Sequence, residues 1–307
     1  ENEVRRSRDR ESLGEGMSIV RELLKDRQAN LKRPEVETSL VEFRWPEISG
    51  LSEEFIKEKV VNEYLNLEKR IDEQLSLFPN SSLLHNLKGT VLSNLNRLEE
   101  GIDSFNLALD NAENPEIIFN NLGVTQIKLN RSEDSIKSFN HAIESNPKYY
   151  QAHFNAATAY RKIGKIHEAI NSYNLALEIH PEYAKGLVYK SLSLKNLGNF
   201  EGSISAGKEA IRVQPNYGLA HRHLSSMLNY SNANNQHLSQ MESAYEEELT
   251  SQEDRMHIAF GIGKAYEDLK QYEKAFSFLQ EGNLIHRSTL KYSTEGKEKS
   301  FSLLREN

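Results

Sequence analysis

The chain has 307 residues, a formal net charge of −7, 37% hydrophobic and 27% charged residues. That length exceeds one ordinary compact core and fits two domains or an elongated array. The acidic balance argues against nucleic acid as the primary partner, because neutralising phosphates needs a basic footprint.

The absence of cysteine removes disulfides, zinc thiolates and a cysteine nucleophile together. No apolar run approaches the roughly 20 residues that cross a bilayer, and no secretory signal is visible, so a cytoplasmic location without membrane contact is expected. The sequence starts at Glu1 rather than Met, which leaves open whether a leader has been removed.

In residues 1–50, Leu13, Met17, Val20 and Leu24 form a short amphipathic stripe. The stretch 31–50 lacks helical periodicity and reads as an extended connection, in which Trp45 serves better as a burial anchor than as a ligand site. Residues 51–81 carry Phe55, Val61, Tyr64, Leu67, Ile71, Leu75 and Phe78 at helical spacing. They predict a capping element, either one long helix or a degenerate helix pair.

A period of 34 residues then takes over: Pro147, Pro181 and Pro215; Ala108, Ala142, Ala176 and Ala210; Phe105, Phe139 and Tyr173. Gly89 and Gly123 open a small-residue column that continues through Ala157, Ser191 and Ser225. Each unit reads as two helices. Helix A ends at Leu95, Leu129, Ile163 or Leu197, and the next residue is Asn96, Asn130, Gly164 or Gly198. Asn and Gly tolerate the left-handed conformation that ends a helix. Helix B follows, with Ile102, Ile136, Ile170 and Ile204 in register. Glycine inside a helix costs about 1 kcal/mol against alanine, so Gly89 and Gly123 predict close approach of a large helix B side chain.

The units fall at 82–115, 116–149, 150–183 and 184–217, with helix A of a fifth at 218–230. Gly207 stands where an aromatic is expected, which predicts looser packing in the fourth. Residues 231–255 read as an inserted loop and a helix through Met241, Tyr245 and Leu249. Setting Gly263 on the glycine column makes 256–287 a final unit, followed by a tail over 288–307.

The spacing of Phe119, Leu122-Gly123, Phe139, Ala142 and Pro147 resembles the tetratricopeptide repeat across residues 82–217. The resemblance implies an all-α fold, a right-handed superhelical solenoid of antiparallel helix pairs, acting as a non-catalytic scaffold. Its concave face, lined by helix A, would bind a protein or peptide. The family's lining positions fall here on Asn86, Asn120, Asn121, Lys128, Asn155, Arg161, Lys162, Lys185, Lys195 and Arg222. That set makes a basic, amide-rich groove suited to an extended acidic peptide. Against it stands a plainer reading, in which these cations only offset acids on neighbouring helices. The family's chaperone-tail clamp is not reproduced, since Tyr189 occupies a position where arginine is wanted.

Gly261-Ile262-Gly263-Lys264 suggests a phosphate loop but fails on spacing. The required outer glycine is Ile258, the hydroxyl residue is Ala265, and a dinucleotide fingerprint would need glycine at Tyr266. Lys264 is expected to project toward the groove. His221 and His223 are two apart and so lie on different helix faces, which gives no metal pair.

Residues 253–287 carry a more specific likeness through Asp254-Arg255, Phe260, Gly263-Lys264, Tyr266 to Leu269, Tyr272, Ala275-Phe276 and Glu281 to Asn283. They resemble the last repeat of bacterial proteins in which a tetratricopeptide array precedes a sulfotransferase domain. That resemblance implies an alternative, the accessory region of such an enzyme. Its catalytic domain and its donor, 3′-phosphoadenosine 5′-phosphosulfate, would then lie beyond residue 307. Within the chain, neither a cofactor, a metal nor a catalytic residue is expected.

Overall fold

The helices stop where the sequence permits a left-handed residue. In the computed structural model, Asn96 has φ 62°, Asn130 60°, Gly164 79° and Gly198 76°. Each is followed by an amide that reaches back five residues: Arg97 N–H to Leu92 O, Arg131 N–H to Gln126 O and Lys165 N–H to Tyr160 O at 2.9 Å, and Asn199 N–H to Leu194 O at 3.0 Å. These bonds satisfy carbonyls that the helix end would leave bare.

The structure describes residues 53–232, 235–247 and 250–289, with side chains from residue 61 to residue 287 within them. The N-terminal stripe, Trp45, the Phe55 side chain, Leu249 and nearly all of the 288–307 tail lie outside the described residues. The helices are α1 (Glu53–Leu77), α2 (Ser82–Asn94), α3 (Leu98–Leu109), α4 (Pro115–Lys128), α5 (Ser132–Ser145), α6 (Tyr150–Lys162) and α7 (Ile166–Ile179). Then come α8 (Ala184–Asn196), α9 (Phe200–Val213), α10 (Gly218–Ser225), α11 (Gln236–Glu246), α12 (Gln252–Asp268) and α13 (Tyr272–Thr289). No strand occurs among the described residues. The chain divides into two units, residues 1–199 and 200–307.

In the first unit α1 is a single unbroken helix. Its Ile71 is fully buried against Leu84, Leu87 and Val91 of α2. Then α2, α4 and α6 each pair with the helix that follows, and successive A helices also touch, α2 with α4, α4 with α6 and α6 with α8. The A helices therefore share one face. The glycine column works as its spacing predicts: a methyl group at Gly89 would lie 2.7 Å from Phe105 Cδ1, and one at Gly123 would lie 2.5 Å from Phe139 Cε1. Phe105, Phe139, Tyr173, Ala108, Ala142 and Ala176 are all buried. Truncating one of those rings would remove on the order of 3–5 kcal/mol.

In the second unit α9 packs on α10, α10 and α11 both pack on α12, and α12 pairs with α13. The helix expected over 218–230 ends at Ser225. The cause is Tyr230, whose side chain is drawn fully into the core and whose amide donates to Asp268 Oδ2 at 3.1 Å. The final pair is longer than the expected 256–287. Ser251 starts α12 early, its Oγ accepting from Asp254 N at 3.1 Å.

Gly261 and Gly263 both lie inside α12, with no loop to cradle a phosphate. A methyl group at Gly263 would lie 2.8 Å from Leu279 Cγ, repeating the role of Gly89, and one at Gly261 would lie 2.9 Å from Met241 Sδ. Lys264 does not project toward a groove. Its ammonium donates to Leu228 O and to Asp268 Oδ2, because the carbonyls freed where α10 stops need a donor.

Candidate functional site

Charge in the first unit is sorted by helix type. The A helices α2, α4, α6 and α8 hold Lys88, Lys128, Arg161, Lys162, Lys185, Lys190 and Lys195 against one acid, Glu116. The B helices α3, α5 and α7 hold Glu99, Glu100, Asp103, Glu133, Asp134, Glu144, Glu168 and Glu178 against one base, Lys137.

Several B-helix acids are met by cations outside the A helices. Arg131, in the turn before α5, grips Glu99 with two bonds of 2.9 and 2.6 Å. Arg97, in the turn before α3, bonds Glu100 at 2.7 Å and reaches Glu68 of α1 at 2.7 and 2.8 Å. Lys137 takes Asp134 at 2.9 Å. On the A helices, Lys88 is neutralised in the plainer way, by Asp72 of α1 at 2.7 Å.

Each of the ten positions singled out by sequence has a definite place. The asparagines form a ladder between successive A helices: Asn121 Nδ2 donates to Asn86 Oδ1 at 3.2 Å, and Asn155 Nδ2 donates to Asn120 Oδ1 at 2.8 Å. Asn86 and Asn120 are buried by it, so part of their donor and acceptor capacity is already used within the array.

Lys128 and Lys162, one period apart, serve as helix caps. Lys128 Nζ donates to Ser93 O at 3.2 Å, and Lys162 Nζ donates to Ile127 O at 3.2 Å and to Asn130 Oδ1 at 2.8 Å. A cation at a helix C-terminus meets the negative end of the dipole. Lys128 is exposed as a residue, yet desolvation of its ammonium holds its pKa below the usual lysine value.

Arg161 and Lys185 border an aromatic cluster. Phe154 makes edge contacts with Tyr183 at 5.1 Å and Tyr189 at 5.5 Å, and lies 5.6 Å from Tyr173. The Arg161 guanidinium stands 5.2 Å over Tyr189, and Lys185 Nζ stands 5.7 Å over Phe154. Both cations are half-buried, as is Lys195. Arg161 Nε is buried with no hydrogen-bond acceptor, a donor that protein interiors rarely leave unmet. Burial also pushes the Tyr173 hydroxyl pKa upward, partly offset by its bond with Thr158.

Arg222 belongs to the second unit. It is exposed on α10, its guanidinium 4.6 Å over Phe260 and its Nη1 donating to His257 Nδ1 at 3.3 Å.

Sequence reasoning missed a buried polar chain in this unit. His221 Nε2 lies 2.7 Å from Pro215 O, His221 Nδ1 lies 3.1 Å from His237 Nε2, and His237 Nδ1 lies 2.6 Å from Tyr230 Oη. The carbonyl accepts only, which fixes the direction throughout for neutral rings: Tyr230 donates to His237, His237 to His221, and His221 to Pro215. Burial lowers both imidazole pKa values, His237 to about 3. His223 faces elsewhere, its Nε2 3.3 Å from Ser203 Oγ. No group of three or more potential ligands for a metal occurs among the described residues.

Family models of the tetratricopeptide repeat match residues 118–149 and 257–283, and a second such model matches 138–171. These segments carry tetratricopeptide repeats. The described residues around them are all-helical, in keeping with an all-α fold built on such repeats. Of the 253–287 block, residues 257–283 are matched as a tetratricopeptide repeat.

No curated protein sequence matches the chain. Among solved structures, YrrB, described as a TPR protein with an unusual peptide-binding site, is 24% identical with a TM-score of 0.44, over 53% of this chain and 84% of its own. A MamA structure is 16% identical with a TM-score of 0.46, over 52% and 87%. MamA from Desulfovibrio magneticus RS-1 is 13% identical with a TM-score of 0.45, over 68% and 96%. No helix among the described residues is long and apolar enough to cross a membrane.

Proposed function

We propose that the chain is a non-catalytic binding scaffold whose A-helix face in the first unit takes an extended, acidic peptide segment of a partner protein. The observation that carries this reading is the sorting of charge, seven cations against one acid on α2, α4, α6 and α8. Arg161 is the central residue. Its guanidinium charge sits beside an aromatic surface, where a carboxylate is the fitting counter-charge. Lys128 and Lys162 contribute field rather than direct contacts, since their ammonium groups already cap helices.

Titration calorimetry with glutamate-rich, neutral and lysine-rich peptides of equal length tests the proposal. The expected result is binding of the acidic peptide alone, weakened by salt and abolished by Arg161→Glu with helicity unchanged. Equal binding of the neutral peptide would overturn the reading. An RNA oligonucleotide serves as the control polyanion, and preference for it over the acidic peptide would also overturn it.

The accessory-region alternative rests on the resemblance of residues 253–287. It requires the parent reading frame to continue beyond Asn307 into a phosphate-loop domain.

A further inference from the structure

Helix α13 presents an apolar stripe at a position that other repeats cover. Counting from the glycine column, Ile102, Ile136 and Phe276 occupy one position of helix B. Ile102 packs in a cluster with Ile118 and Leu122 of α4, and Ile136 packs in one with Ala156 and Ala159 of α6. Phe276 is 67% exposed, and Tyr272 and Leu284 beside it are 64% and 57% exposed. At about 100° per residue these three share an arc of roughly 120° with Glu273, Gln280, Asn283 and Arg287.

The stripe is self-complementary. A two-fold axis through Gln280 pairs residue 276 with 284 and 273 with 287. Phe276 then meets Leu284 of the second copy, and the carboxylate of Glu273 meets the guanidinium of Arg287. The reverse pairings follow by symmetry, as an isologous interface demands.

We propose that α13 is a dimerisation surface, on which a second copy of this chain lies antiparallel about Gln280. A single helix pair stands at the small end of specific interfaces, so the dimer forms in a concentration-dependent way.

Sedimentation of the full chain across a hundred-fold concentration range tests this. The expected result is a shift from monomer to dimer, lost in Phe276→Glu. Glu273→Arg places two arginines face to face and loses the dimer, whereas the reciprocal swap Glu273→Arg with Arg287→Glu restores it. This charge swap keeps the test valid even if Phe276→Glu perturbs folding. A chain that stays monomeric at every concentration overturns the proposal, as when its own residues after Thr289 cover the stripe. So does a dimer that survives Phe276→Glu, or one that the charge swap fails to restore.

Discussion

The Phe139 ring fills the space beside Gly123 so closely that a methyl group there would lie 2.5 Å from Cε1. This contact joins α4 to α5 and repeats as Gly89 with Phe105 between α2 and α3. Alanine at position 123 gains about 1 kcal/mol of helix propensity but forces the ring aside, a strain of roughly 1–3 kcal/mol. Gly123→Ala is therefore expected to destabilise, and Phe139→Leu in the same chain to recover much of the loss. Urea midpoints of the two single variants and the double variant measure this coupling. Additive effects would mean that the two residues do not share the space.

Lys270 is a second backbone test. It has φ 59° at the end of α12, where earlier repeats place Asn or Gly. A non-glycine residue in this conformation is strained by roughly 1–2 kcal/mol. The side chain is exposed, so Lys270→Gly is expected to raise the thermal midpoint. Gly164→Ala, which imposes the same strain at φ 79° without any clash, is expected to lower it. Calorimetric scans of both variants check the pair of opposite signs.

The buried histidine chain predicts a dependence on pH. Unfolded imidazoles titrate near 6.5, while burial holds folded His237 at about 3 and lowers His221 as well. Below pH 6.5 the unfolded chain takes up protons that the folded chain refuses. The stabilising contribution of His237 is thus complete above that value and falls as the pH drops toward 3, by up to about 1.4 kcal/mol per pH unit, and His221 acts in the same direction. Hydrogen exchange over α10 to α12 at a series of pH values reads this directly. Acid should speed exchange there in the native chain and do so less in His237→Phe.

Tyr230→Phe isolates the hydrogen bonds of that chain. It leaves His237 Nδ1 buried with no donor, at a cost of about 1–3 kcal/mol. The loss is expected to persist at pH 7, where neither imidazole is charged, and denaturant melts at that pH measure it.

The repeat was legible because it is written in backbone needs. A left-handed helix end favours Asn or Gly, and a helix pressed against a phenylalanine ring favours glycine; Asn130 and Gly123 show these preferences. The use of the polar side chains was not legible. Lys128, Lys162 and Lys264 look alike in sequence as groove cations, yet each caps carbonyls exposed by a helix end. Their partners lie about one period away and depend on how neighbouring helices stack. His237 reaches His221 only because the chain leaves the helix after Ser225 and returns, a departure from the repeat that carries no spacing signal. The sorting of acids and bases between helix types was present in the sequence. It acquired meaning only when the A helices were seen to share a face.

Hydrogen exchange of the full chain with and without a glutamate-rich peptide tests the central claim most directly. The account predicts slowed exchange on α4, α6 and α8, lost in Arg161→Glu, with α3, α5 and α7 unchanged. Protection confined to the acidic B helices, or none on any helix at saturating peptide, would contradict it.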